Sequence, residues 1–137
     1  MTKKDFLQNT NLPTPLVESV AKQMGSWDSF KESAQDIARH GADAGWNGFI
    51  YYDQTVTFAK QNLDSIMQVA CDLANELGMG VTDMVASFGC LRGDGITSND
   101  VAACLVSDTD NTVRVMNALA WFALEEVARS YDYMMEG

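Results

Sequence analysis

Few side chains in this chain could carry out chemistry. There is one histidine, His40, and there are three cysteines, Cys71, Cys90 and Cys104, with no close spacing among them. A zinc centre needs several cysteine or histidine ligands at short intervals, which this set cannot supply. No calcium-binding loop of the Asp-x-Asp-x-Asp-Gly kind is present, and no pair of Glu-x-x-His motifs suits a di-metal carboxylate centre. A thiol nucleophile would have to be Cys90 with His40 as base, its pKa lowered by Arg92. Against that, His40 stands at a helix C-terminus, where the dipole alone accounts for it. Cys71 and Cys104 fall on apolar helical faces as small hydrophobes. Gly41, Gly45 and Gly48 resemble a phosphate loop only superficially, because they follow a helix and no lysine accompanies them. The reading is of a chain with no catalytic residue, no metal ligand and no cofactor.

Residues suited to recognition are easier to find. Trp46, Phe49, Tyr51 and Tyr52 lie within seven residues beside a glycine-rich turn. Aromatic side chains on loops supply large contact areas, and Trp and Tyr are enriched at binding hot spots. Trp46 and Phe49 also suit a plug folded back over the core. Tyr51 and Tyr52 point apart if the backbone is extended, so at least one faces solvent. The expected partner contacts are therefore Trp46, Asn47, Tyr51 and Tyr52, with Arg92 and Asp94 from a loop over 90–95. A second surface is acidic. Between residues 41 and 91, Asp43, Asp53, Asp64, Asp72, Glu76 and Asp83 face one base, Lys60. Asp64, Asp72 and Glu76 share one side of a helix, which raises the alternative of an acidic DNA mimic.

The elements that must position these groups read as helices. Pro13-Thr14-Pro15 starts a first one with Thr14 as its cap, and Gly25 closes it. A second helix runs from about Ser26 to Arg39-His40, followed by Gly41. A short extended piece is expected near 49–52, then a helix over 54–61 capped by Asp53. Leu63, Ile66, Met67, Ala70, Leu73, Ala74 and Leu77 form an amphipathic stripe ending at Gly78. Thr82 opens a helix closed at Gly89, and Ser98 caps another ending near Ser107. The last helix, from about 111 to 135, is apolar on nearly every side between Val115 and Leu124, so it is the central buried one. Glu125-Glu126 mark where it regains solvent. Asn117, within it, is a buried amide that must hold a loop or reach a ligand. Residues 1–12 read as a flexible arm, and 13–137 as one all-α domain, an irregular bundle of six to seven helices.

The 137 residues carry nineteen acids against nine bases, a formal net charge of -10. That balance repels nucleic-acid backbones and anionic lipid, so direct nucleic-acid and membrane binding are not expected. An odd number of scattered cysteines fits a reducing compartment, and the expected location is the cytoplasm.

Three stretches, residues 29–38, 40–52 and 117–129, together resemble a family of small, functionally uncharacterised proteins carried by phages and plasmids. The resemblance carries no functional residue. It implies a mobile-element context, where small acidic proteins often inhibit host defence. The expectation is a non-enzymatic interaction protein of the anti-CRISPR or antirestriction type. Its partner would be a host protein complex such as a CRISPR effector or a restriction enzyme. A small ligand-binding domain or enzyme using a pocket beneath the 41–48 loop, and a homodimer, are the alternatives.

Overall fold

The computed structural model describes residues 1–41, 52–91 and 95–136, and the described residues contain eight helices and no strand. They are α1 (Lys3–Asn9), α2 (Thr14–Gln23), α3 (Trp27–His40), α4 (Tyr52–Gln61), α5 (Leu63–Leu77), α6 (Val81–Leu91), α7 (Ser98–Val106) and α8 (Thr112–Glu136). The fold is all-α, as the periodicity requires, and α8 is its axis. Val115, Leu119, Ala120, Ala123, Leu124, Val127 and Ala128 of α8 are all fully buried. An unbroken apolar run can be satisfied only by neighbours on every side. Helices α2 to α7 supply them, α3 and α4 most extensively.

Local signals set most of the boundaries. Ser26 caps α3 by accepting from the Ser29 backbone N–H, and Gly41 follows its last turn with φ 102°. Gly78 ends α5 in the left-handed conformation (φ 70°), which costs a glycine nothing. Thr97, rather than Ser98, caps α7 in a reciprocal capping box with Asp100. Thr14 is already helical and Pro13 holds the cap position of α2. Tyr52 and Asp53 belong to the first turn of α4, so the expected extended piece does not reach Tyr52; residues 49–51 lie outside the described residues.

Five expectations are overturned. The flexible arm over 1–12 is instead helical across Lys3–Asn9, with Phe6 completely buried. Phe6 stacks at 5.4 Å from Trp27 and 6.1 Å from Tyr131, and Trp27 lies 5.0 Å from Phe30, joining α1, α3 and α8 in one aromatic cluster. The Trp27 indole N–H donates to the Met1 carbonyl at 3.0 Å. Gly89 does not end α6. It is buried inside the helix, and a Cβ there would meet Ile96 Cδ1 and Cγ1 at 2.7 Å, so glycine is what lets Ile96 seat. Cys90 and Leu91, expected to open a loop, are helical and belong to α6. Finally, Glu125 does not mark a return to solvent but is 1% exposed, whereas Cys71 is exposed rather than packed.

Candidate interaction groove

Helix α8 has two different long faces in its C-terminal half. Leu124, Val127, Ala128 and Tyr131 point into the core. Glu126, Arg129, Ser130, Tyr133 and Met134 repeat at helical spacing on the other side and form the floor of a groove. One wall is the α1–α2 connection, through Thr10, Asn11 and Leu12; the other is α5, through Asp72, Leu73 and Glu76. The central section has a volume of about 830 Å³ and runs on, past Asn9, Tyr133 and Met134, into a section bounded by Met1 and Glu136.

The wall is tied down rather than draped. The Thr10 and Ser130 hydroxyls are hydrogen-bonded at 3.0 Å, and Thr10 Oγ1 also accepts from the Leu12 backbone N–H at 3.2 Å. Thr10 N–H closes α1 by donating to the Phe6 carbonyl. Burial of Phe6 therefore fixes where the wall begins.

The two ends differ in chemistry. At the α5 end, Asp72, Glu76 and Glu126 border the groove with, among the described residues, one cation, Arg129, whose guanidinium donates to Glu126 Oε1 at 2.6 Å. Three carboxylates against one guanidinium leave a net charge of -2 there. The Glu126 carboxyl is pushed above the ordinary carboxylate range, chiefly by burial. Arg129 opposes that rise, while Glu125 and Glu76 add to it. At the other end Tyr133 is 79% exposed and Met135 55%, beside the half-buried Met134. Arg39 holds the tip of α8 through Glu136 at 2.9 Å and Asp132 at 3.9 Å.

Of the anticipated contact residues, Trp46, Asn47, Tyr51, Arg92 and Asp94 lie outside the described residues, and Tyr52 opens α4. The anticipated acidic face is better defined. Asp64, Asp72 and Glu76 are all exposed on α5, yet only Asp72 and Glu76 border the groove. His40 is exposed at the end of α3, and Cys104 is buried against Thr109 and Thr112. Asn117 is buried on α8. Among the described residues no group of three or more His, Cys, Asp or Glu could hold a metal ion, and no helix is long and apolar enough to cross a membrane. The residues that sequence reading passed over are Thr10, Leu12, Ser130, Tyr133 and Met134. Two tyrosines and two methionines in the otherwise polar tail 129–136 were the available signal.

No curated protein and no solved structure matches the chain. A family does match it, over residues 17–136, which takes in all of α3 to α8 and hence the floor and acidic wall of the groove; the chain belongs to the family described as Domain of unknown function (DUF7222).

Proposed function

We propose that this is a non-catalytic interaction protein that binds a partner protein along the groove between α8, α5 and the α1–α2 connection. The observation carrying this reading is the pairing of an exposed apolar end, at Tyr133 and Met134, with an acidic end, at Asp72, Glu76 and Glu126. A tyrosine left 79% exposed on the last turns of a helix offers a large rigid contact at low entropic cost. A net charge of -10 steers the chain toward basic surfaces and away from nucleic acid itself. Proteins that handle nucleic acid present such surfaces. Together with the resemblance to phage- and plasmid-borne proteins, this makes a host defence complex, a CRISPR effector or a restriction enzyme, the partner class we favour. The chain then acts as its inhibitor in the host cytoplasm.

The test is functional. The chain is expressed in cells whose CRISPR or restriction system blocks a phage, and plating efficiency is compared with that of Tyr133→Ala. The expected result is restored plating with the natural chain and lost restoration with the folded variant. Unchanged plating across representative systems of both kinds would overturn the inhibitor reading, and full activity of Tyr133→Ala would overturn the groove.

A further inference from the structure

The groove's two chemically distinct ends are a fixed distance apart, and that spacing specifies what fits. Glu126 and Tyr133 are seven residues apart on one helix, and a rise of 1.5 Å per residue separates their backbone positions by about 10 Å. Thr10 and Ser130 pin the wall midway, so the two ends are held in register by the fold.

Resting on the groove reading above, we infer that its occupant is a segment of a partner protein bearing a lysine or arginine and a large apolar side chain about 10 Å apart. The cation sits among Asp72, Glu76 and Glu126, and the apolar group lies against Tyr133, Met134 and the Leu12 wall. On a helical occupant those two residues are seven apart; on an extended one, at about 3.3 Å per residue, they are three apart.

Two observations argue for a cation at the α5 end. The carboxylates there outnumber Arg129 by two, and Arg129 itself is half exposed and, among the described residues, pairs with Glu126. Asp72 and Glu76, both on the rim, are thus available to a second cation. Burial chiefly, with Glu125 and Glu76 adding to it, pushes the Glu126 carboxyl up, and a cation seated beside Glu76 and Glu126 offsets the negative charge gathered there. An acidic or neutral segment gains none of this. The rim is also hydrogen-bonding rather than greasy, since Asn9, Asn11 and Asn75 stand along it, so a segment enters with its backbone partly satisfied. Recognition by an apolar anchor plus a charge at a set spacing is the mode used by grooves that take amphipathic segments.

The experiment pans a random peptide display library against the immobilised full chain, with binding of the enriched peptides then measured by fluorescence anisotropy. Expected are peptides with a Lys or Arg and a Leu, Phe or Trp at the seven- or three-residue spacing. Their affinity should fall about tenfold in Asp72→Asn/Glu76→Gln and in Tyr133→Ala, and should fall as salt rises. All three positions are exposed, so these variants keep the fold. Peptides that lose affinity in Tyr133→Ala but lack a basic residue, or ignore the charge-neutral variant, overturn the cation and leave the groove standing. Peptides indifferent to every groove variant, or no enrichment at all, overturn the groove reading with it.

Discussion

The hydroxyls of Thr10 and Ser130 meet at 3.0 Å although 120 residues separate them in the chain. This bond joins the two termini of the fold. It takes the short polar connection after α1, which has no apolar period of its own, and makes it the fixed wall of a groove. Neighbouring bonds fix the same segment, from Thr10 N–H to Phe6 and from Leu12 N–H to Thr10. The wall is therefore only as firm as the seating of Phe6.

That dependence makes Phe6 the first residue to test. It is fully buried between Trp27 and Tyr131, so Phe6→Ala leaves a cavity rather than shortening a loose tail. Truncation of a buried phenylalanine costs about 3–5 kcal/mol. We expect a loss near the lower end, about 3 kcal/mol in urea unfolding, because α1 is short and terminal. A change under about 0.5 kcal/mol, as for an ordinary surface site, would restore the picture of a flexible arm.

How much of this was legible in the sequence depends on where each element obtains its stability. Helices α5 and α8 carry their own apolar stripes, so their faces, the αL stop at Gly78 and the centrality of α8 could be read directly. Helix α1 could not, since its single fully buried residue, Phe6, gains its partners from α3 and α8, far away in sequence. Gly89 misled for a similar reason. A glycine near the end of an apolar run normally marks a C-cap, but here it clears space for Ile96. The groove was the least legible part, because its floor and walls come from three segments that each show only polar residues with an occasional apolar one. Asp72 and Glu76 were picked out for their charge, and the fold supplied their setting.

Gly89 gives the second prediction. A methyl group there meets both Ile96 Cδ1 and Cγ1 at 2.7 Å, and Cγ1 cannot swing away without moving the side chain. Overpacking of this kind costs about 1–3 kcal/mol, against a gain of up to about 1 kcal/mol in helix propensity. Gly89→Ala should therefore lose about 1–2 kcal/mol. In an Ile96→Val background, which removes Cδ1, the same substitution should cost less, and a double-mutant cycle measures the difference. Strict additivity would mean that the two residues do not oppose each other.

The capping box of α7 gives the third. Asp100 is held below its ordinary value of 3.8, first by the hydrogen bond from the Thr97 backbone N–H, with help from the Thr97 hydroxyl and the Asn111 amide. A carboxylate depressed in the folded state favours folding above its unfolded pKa, and that contribution fades as pH falls through the folded one. Asp100→Asn should thus weaken the protein at neutral pH and converge with the natural chain in acid. Thr97→Ala, which removes the other half of the box, should cost about 1 kcal/mol. Equal losses for Asp100→Asn at pH 7 and in acid would argue against the charge.

Glu126 should behave in the opposite sense. Its carboxyl is raised above 4.5, chiefly by burial, with Arg129 opposing the rise and Glu125 and Glu76 adding to it. Between the unfolded and the folded pKa the native state holds the proton more tightly than the unfolded chain does. Stability contributed at this site therefore falls as pH climbs through that window and stays level above it. Glu126→Gln keeps the shape and removes the charge, so relative to the natural chain it should gain stability as pH rises from acid to neutral. Arg129→Gln should do the reverse, because it strips away the guanidinium that lowers the Glu126 pKa. Urea unfolding at a series of pH values reads both curves. A Glu126→Gln difference that does not change with pH would mean that the carboxylate is as well solvated in the groove as in the unfolded chain. The crowding of negative charge at that end would then be no force for a partner's cation to relieve.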